Sequence, residues 1–141
     1  MPGSGKKFDL SVVTPDGSVF DGEAEMIIVP GQIGDIGVLA RHAPLIATLR
    51  AGSTRIDPGG GADVIELATG PGFFQMLHDR AIALVDAAVD AAHIDHDAAQ
   101  AQLEAAQAEL EAIDRGESSA DRWQVEQRIR HAENQLAVSG R

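Results

Sequence analysis

The chain has 141 residues, with eleven Lys and Arg against 22 Asp and Glu, for a formal charge of −11. It has no Cys, which excludes disulfide scaffolds, thiol catalysis and Cys-based zinc sites. Its acidity excludes non-specific binding to nucleic acid or anionic lipid, which needs Lys and Arg against phosphate, and no apolar run approaches the ~20 residues that span a bilayer.

The N-terminal Met1–Lys7 carries charge with no apolar stretch behind it, so no signal peptide is expected. Gly3-Ser4-Gly5-Lys6 looks like a P-loop fragment. No strand precedes it and Lys7 stands where Ser or Thr would bind the metal, so it reads as a plain N-terminus. Phe8, Leu10 and Val12 then alternate with Asp9 and Ser11, the period of a half-buried strand. Pro15-Asp16-Gly17 is a turn signal, followed by strands at Ser18–Phe20 and Met26–Val29. Gly31, Gly34 and Gly37 form G-x-x-G-x-x-G, which is not a dinucleotide fingerprint and reads as a loop needing positive φ. Further strands are expected at Leu45–Leu49, Thr54–Ile56, Val64–Leu67, Phe73–Leu77 and Ile82–Val85, with a hairpin tip at Pro58-Gly59-Gly60-Gly61. Short strands at this spacing predict a sandwich or a barrel.

The composition changes near residue 90. All six Pro and thirteen of the fifteen Gly lie in the first 72 residues, whereas residues 91–141 hold twelve Ala and no Pro. Ala is the best helix former, so this half reads as helical. Asp95 is the expected N-cap, and Ala99, Leu103, Ala106, Leu110 and Ile113 make one apolar stripe. After a break at Arg115-Gly116, Ser118 and Asp121 resemble a capping box, and Val125, Ile129, Ala132 and Leu136 make a second stripe. The short connection makes the two helices an antiparallel hairpin. Its stripes are rich in Ala, so the hairpin is expected to be marginal alone and to depend on docking.

No catalytic constellation is present. There is no G-x-S-x-G or Ser-His-Asp arrangement. His93 and His96, three apart beside Asp95 and Asp97, read as exposed first-turn residues rather than a metal face. His42 and His78 lack the H-x-H pattern of a sandwich metal site.

In chain order, several segments resemble the epsilon subunits of F-type ATP synthases. Phe8–Pro15 resembles their opening strand. Pro30-Gly31-Gln32-Ile33-Gly34-Asp35-Ile36-Gly37-Val38-Leu39 with His42-Ala43-Pro44-Leu45 resembles G-x-x-G-[ED]-x-G-[IV]-L-x-x-H-A-P-L. Leu84-Val85-Asp86-Ala87-Ala88 is similar to V-L-A-D-x-A, and Ile94-Asp95 opens the helices. The resemblance implies an α+β protein, a ten-stranded β-sandwich over 1–90 followed by a two-helix hairpin over 91–141. It implies a non-enzymatic rotor subunit on the cytoplasmic face of a bacterial plasma membrane. The gamma subunit and the c ring would be its partners, the membrane being reached only through the ring, and the alpha/beta head would be reached by an extended hairpin that restrains ATP hydrolysis. Gly34, Asp35, Gly37, His42, Pro44 and Leu45 stand at partner-contact positions of the family, and Trp123, Arg128 and Arg130 on the second helix at regulatory ones. Members that bind ATP in the hairpin carry arginines where Ala98, His131 and Gln135 stand here; Asp95 remains only as a weak candidate, so no cofactor is expected. The alternative reading is a free-standing nucleotide-sensing module.

Overall fold

The computed structural model describes residues 6–139; the P-loop-like Gly3–Gly5 lies outside them. Ten strands form two five-stranded sheets. The first has the order β2(Gly17–Ala24), β1(Phe8–Thr14), β9(Arg80–Val85), β8(Gly72–Leu77), β5(Leu45–Leu49). The second runs β10(Ala88–Asp90), β7(Ile65–Thr69), β6(Gly52–Asp57), β3(Met26–Pro30), β4(Asp35–Leu39). All neighbours are antiparallel except β1 and β9. The sandwich is therefore the outcome, and the barrel is not. Phe8, Leu10 and Val12 point inward as their alternation requires, and meet Ile27, Val29, Ile56, Leu67, Phe74 and Met76 in one core. Thr54 and Thr69 are the buried polar side chains of the described residues, and they satisfy each other across 2.9 Å.

Two strands escape the residue-by-residue reading, and one expectation is overturned. β4 lies inside the glycine-rich stretch, and β10 has only three residues. None of Gly31, Gly34 and Gly37 has a positive φ. Gly37 pairs with Ile28 inside the sheet, and Gly31 bridges Leu49 of the opposite sheet. A Cβ on Gly31 would stand 2.7 Å from the Gly34 carbonyl oxygen, so close packing, not turn chemistry, requires glycine there. The glycines with positive φ are instead Gly17, the expected tip Gly59–Gly61, and Gly116.

The helices are α1(His96–Asp114) and α2(Arg122–Ser139). Asp95 caps α1 as its position predicts, accepting from the Ala98 N–H at 3.0 Å. Asp95→Ala should cost about 1 kcal/mol of helix stability, measured as the change in hairpin amide exchange protection at neutral pH. α1 ends in a Schellman motif. Gly116 at φ 75° lets its N–H reach Ile113 and the Glu117 N–H reach Ala112. Ser118 is not the cap of α2. That helix starts at Arg122, four residues later, and Asp121 accepts from the Trp123 N–H at 2.9 Å, while Ser118 turns to Glu109. Arg122 closes the connection against Asp114, and the guanidinium is held above its ordinary pKa chiefly by that hydrogen bond.

The hairpin lies folded on the sandwich. Ala68 points away from the sandwich core yet is only 4% exposed, because α2 covers the outer face of β7 and β6. The second sheet thus has both faces occupied at β7 and β6, and the first sheet has its outer face bare.

Candidate functional site

The expected contact residues divide between the two ends of one strand. Gly34 and Asp35 lie where β3 turns into β4; His42 and Pro44 follow its other end, roughly 15 Å away along five residues. Gly37 sits between them, in an edge strand with its outer side open. The structure therefore places the six residues along one edge of the sandwich rather than in one pocket.

At the β3–β4 end, Asp35 is not a free carboxylate. Arg50, just past β5, donates to it at 3.1 Å. Both groups are exposed, so Arg50→Ala should change stability by less than about 1 kcal/mol, read as a melting-temperature shift of a few degrees at most. The chain here is held by its backbone. The Gln32 N–H reaches the Thr48 carbonyl at 3.0 Å, and the Arg50 N–H reaches that of Pro30 at 2.9 Å. Ile33 beside them is fully exposed. Gly34 has no left-handed φ, and no described atom beyond its own chain neighbours comes within 4 Å of where its Cβ would stand. Nothing in the chain's own packing demands glycine at that position.

At the other end, Arg41 adopts a left-handed φ of 65°, and its N–H is held by the Asp79 carboxylate. Asp79 and His78 both have positive φ, which is the two-residue turn that matches the twist of β8 and β9. His42 Nδ1 lies 2.7 Å from the Ala43 carbonyl, a local bond that fixes the turn. Leu45 is half-buried against the core, and Pro44 is exposed.

The second helix presents Trp123 at 63% exposure, so it does not pack on the sandwich. Arg130 lies seven residues on, two turns along the same face, and bonds Gln127. Arg128 points elsewhere, into a groove between the helices that also holds Gln102 and His131. Trp123 and Arg130 are thus together, and Arg128 is apart.

The surface that sequence reading missed is the outer face of the first sheet. Strand register sets it out in rows. Thr48, Phe73, Leu84 and Val13 form one row, and Ile46, Gln75, Ile82 and Ser11 form the next. Ile46 is 76% exposed, Phe73 59% and Leu84 48%. Beyond them, towards β1 and β2, the face becomes acidic. An open groove of about 530 Å³ there is lined by Asp9, Asp21, Glu23 and Arg80. A solvated antiparallel face is ordinarily polar, so large apolar side chains on this one mark a surface that is covered by something. The signal was present in the sequence: Phe73-Phe74 and Ile82–Val85 put apolar residues on both faces of their strands.

Comparison with known proteins follows the same division. Residues 7–91 match the family model described as ATP synthase, Delta/Epsilon chain, beta-sandwich domain. The ATP synthase epsilon chains of Bacillus cytotoxicus and Bacillus thuringiensis are each 38% identical to this chain over 90 residues, covering 64% of it. Those 90 residues span 66% of the relatives' own length. Among solved structures, the fold is similar to a chain of the Euglena gracilis mitochondrial ATP synthase assembly of OSCP, F1 and c ring. The TM-score is 0.72 at 22% identity, over 93% of this chain and 80% of that one. A chain of the central stalk and c ring of the Tetrahymena thermophila enzyme is similar at a TM-score of 0.52 and 14% identity, over 62% and 69%. At these identities the two structures speak to the fold alone.

Proposed function

The chain belongs to the ATP synthase delta/epsilon chain family, and we propose that it works as the epsilon-type subunit of the central stalk of an F-type ATP synthase. In this role it is a non-catalytic rotor part. It couples rotation of the c ring, through gamma, to ATP synthesis in the catalytic head. The observation that carries the assignment is the bare apolar face of the first sheet, with Phe73 and Leu84 on β8 and β9 and Ile46 on the edge strand β5. A coupling subunit must be held on the rotor tightly enough not to slip, and an apolar sheet face is the means this molecule offers.

The parts take separate roles. Residues 1–90 are the grip and residues 91–141 the regulatory arm. The outer face of the first sheet takes gamma. The β3–β4 turn, with Gly34, Asp35 and Gly37, takes the polar loops of the ring, and His42, Pro44 and Leu45 continue that edge. Gly34 supports this role, since a close partner accounts for a glycine that the chain's own packing does not. Trp123 and Arg130 form the arm's contact with the head when it extends, Arg128 serves it from the separate groove between the helices, and the extended arm restrains hydrolysis. The protein sits peripherally on the cytoplasmic face of a bacterial plasma membrane, held by the ring. No helix among the described residues is long and apolar enough to cross a membrane.

The test uses the head with its gamma subunit, purified without its own epsilon subunit. The full chain is added, and gel filtration and ATPase rate are recorded. Co-elution at one copy per head is expected. Absence of co-elution at micromolar concentrations, together with saturable ATP binding by the free chain, would replace this assignment with the nucleotide-sensing module.

A further inference from the structure

The contact between hairpin and sandwich is small, and its apolar part is built of small side chains. Ala51, Ala68, Ala87 and Val89 line the seam beneath α2. Burying alanine contributes little, so the polar contacts across the seam decide where the helices rest. One of them is unusual. Asn134 Nδ2 donates to two main-chain carbonyls at once, Gly52 at 3.2 Å and Thr69 at 3.0 Å. Those residues are register partners, the first residue of β6 and the last of β7. One side-chain amide therefore straddles one rung of the sheet. One turn earlier, His131 Nε2 lies 3.4 Å from Asp86 Oδ2. Asp86 is seated for this contact: its other carboxylate oxygen occupies the space that a side chain on Gly70 would need.

We infer that Asn134 is the positioning residue that locks the hairpin in its docked place, with the His131–Asp86 contact as its second point of attachment. The inference rests on the fold alone and holds whatever complex the chain joins. Its acceptors are main-chain oxygens, so the lock reads the end of the sheet rather than a particular side chain. It follows that the donor character of residue 134 is what counts. An Asp there has the same shape but turns an acceptor towards two carbonyl oxygens, and repels where Asn holds.

The chain has no Cys, so single cysteines report cleanly. Ala68→Cys lies beneath α2, where a thiol reagent reaches it only when the hairpin lifts. Met76→Cys lies in the sandwich core and reports opening of the sandwich itself. Labelling rates are measured on the full chain with Asn, Ala or Asp at position 134. Asn134→Ala should raise the rate at residue 68 roughly 5- to 100-fold, the effect of losing two hydrogen bonds. Asn134→Asp should raise it further. The rate at residue 76 and the helix content by circular dichroism should stay as they are. Equal rates at residue 68 for all three residues would overturn the lock. So would a parallel rise at residues 68 and 76, which would make Asn134 a general stabiliser.

Discussion

Phe73→Glu should abolish co-elution with the ATP synthase head while leaving the chain folded. Phe73 is 59% exposed on β8, and its ring stands between Thr48 of β5 and Leu84 of β9. In the free protein a carboxylate at that position meets water, and a surface change of this kind moves stability by about 0.5 kcal/mol or less. In the complex the same carboxylate would be buried against an apolar partner with no cation supplied to it. Aromatic anchors at the centre of an interface cost about 2–4 kcal/mol or more when truncated, and an unpaired buried charge adds to that. The expected loss is therefore at least about thirtyfold in affinity and up to a thousandfold. Val64→Glu is the control. Val64 is 52% exposed but lies before β7, away from the bare face, so the same change of chemistry should leave binding intact. Equal weakening by both would point to non-specific charge repulsion from an already acidic chain. No weakening by Phe73→Glu would remove the first sheet from the interface.

The sequence made part of this architecture readable, and the reason differs from element to element. The apolar stripes of α1 and α2 and the Asp95 cap are local patterns, fixed by neighbours three or four residues away, and they stand where their spacing places them. The Phe8–Val12 alternation is equally local. β4 was hidden because glycine is a poor strand former in isolation, and only pairing with β3 makes Asp35–Leu39 a strand. The contact of Asp35 with Arg50 joins residues fifteen apart through a third strand, and no spacing rule announces it. Resemblance to a family supplied the count of ten strands and the positions of Gly34, Asp35 and Gly37. It could not say that His42 and Pro44 stand at the far end of the strand from them. The face covered by the hairpin is the least legible part. Ala68 and Val89 look like ordinary outward residues, and the lock at Asn134 uses main-chain oxygens, which every residue has.

Phe74→Ala should have the opposite consequence to any change at its neighbour. Phe74 is fully buried and pairs with Ala47 and Ala83, small residues that leave its ring to fill the space between the sheets. Truncating a buried Phe costs about 3–5 kcal/mol, from lost transfer free energy and the cavity left behind. The partners of Phe74 along the sheet are alanines that cannot swing into the gap, so the upper part of that range applies. For a domain of this size, whose whole stability is about 5–15 kcal/mol, the melting temperature should fall on the order of 15–30 °C. Phe73→Ala should shift it by only a few degrees. The hairpin gives the experiment a second reading. Its alanine-rich stripes leave it dependent on docking, so the helical signal should be lost in the same transition as the sheet, not after it. If the helices outlived the sandwich, the hairpin would be a self-sufficient unit, and a single amide at Asn134 would then be deciding only where it rests and not whether it folds. If Phe73→Ala and Phe74→Ala melted alike, the two faces of β8 would be equally committed to folding, and the bare face would no longer stand out as a surface kept for a partner.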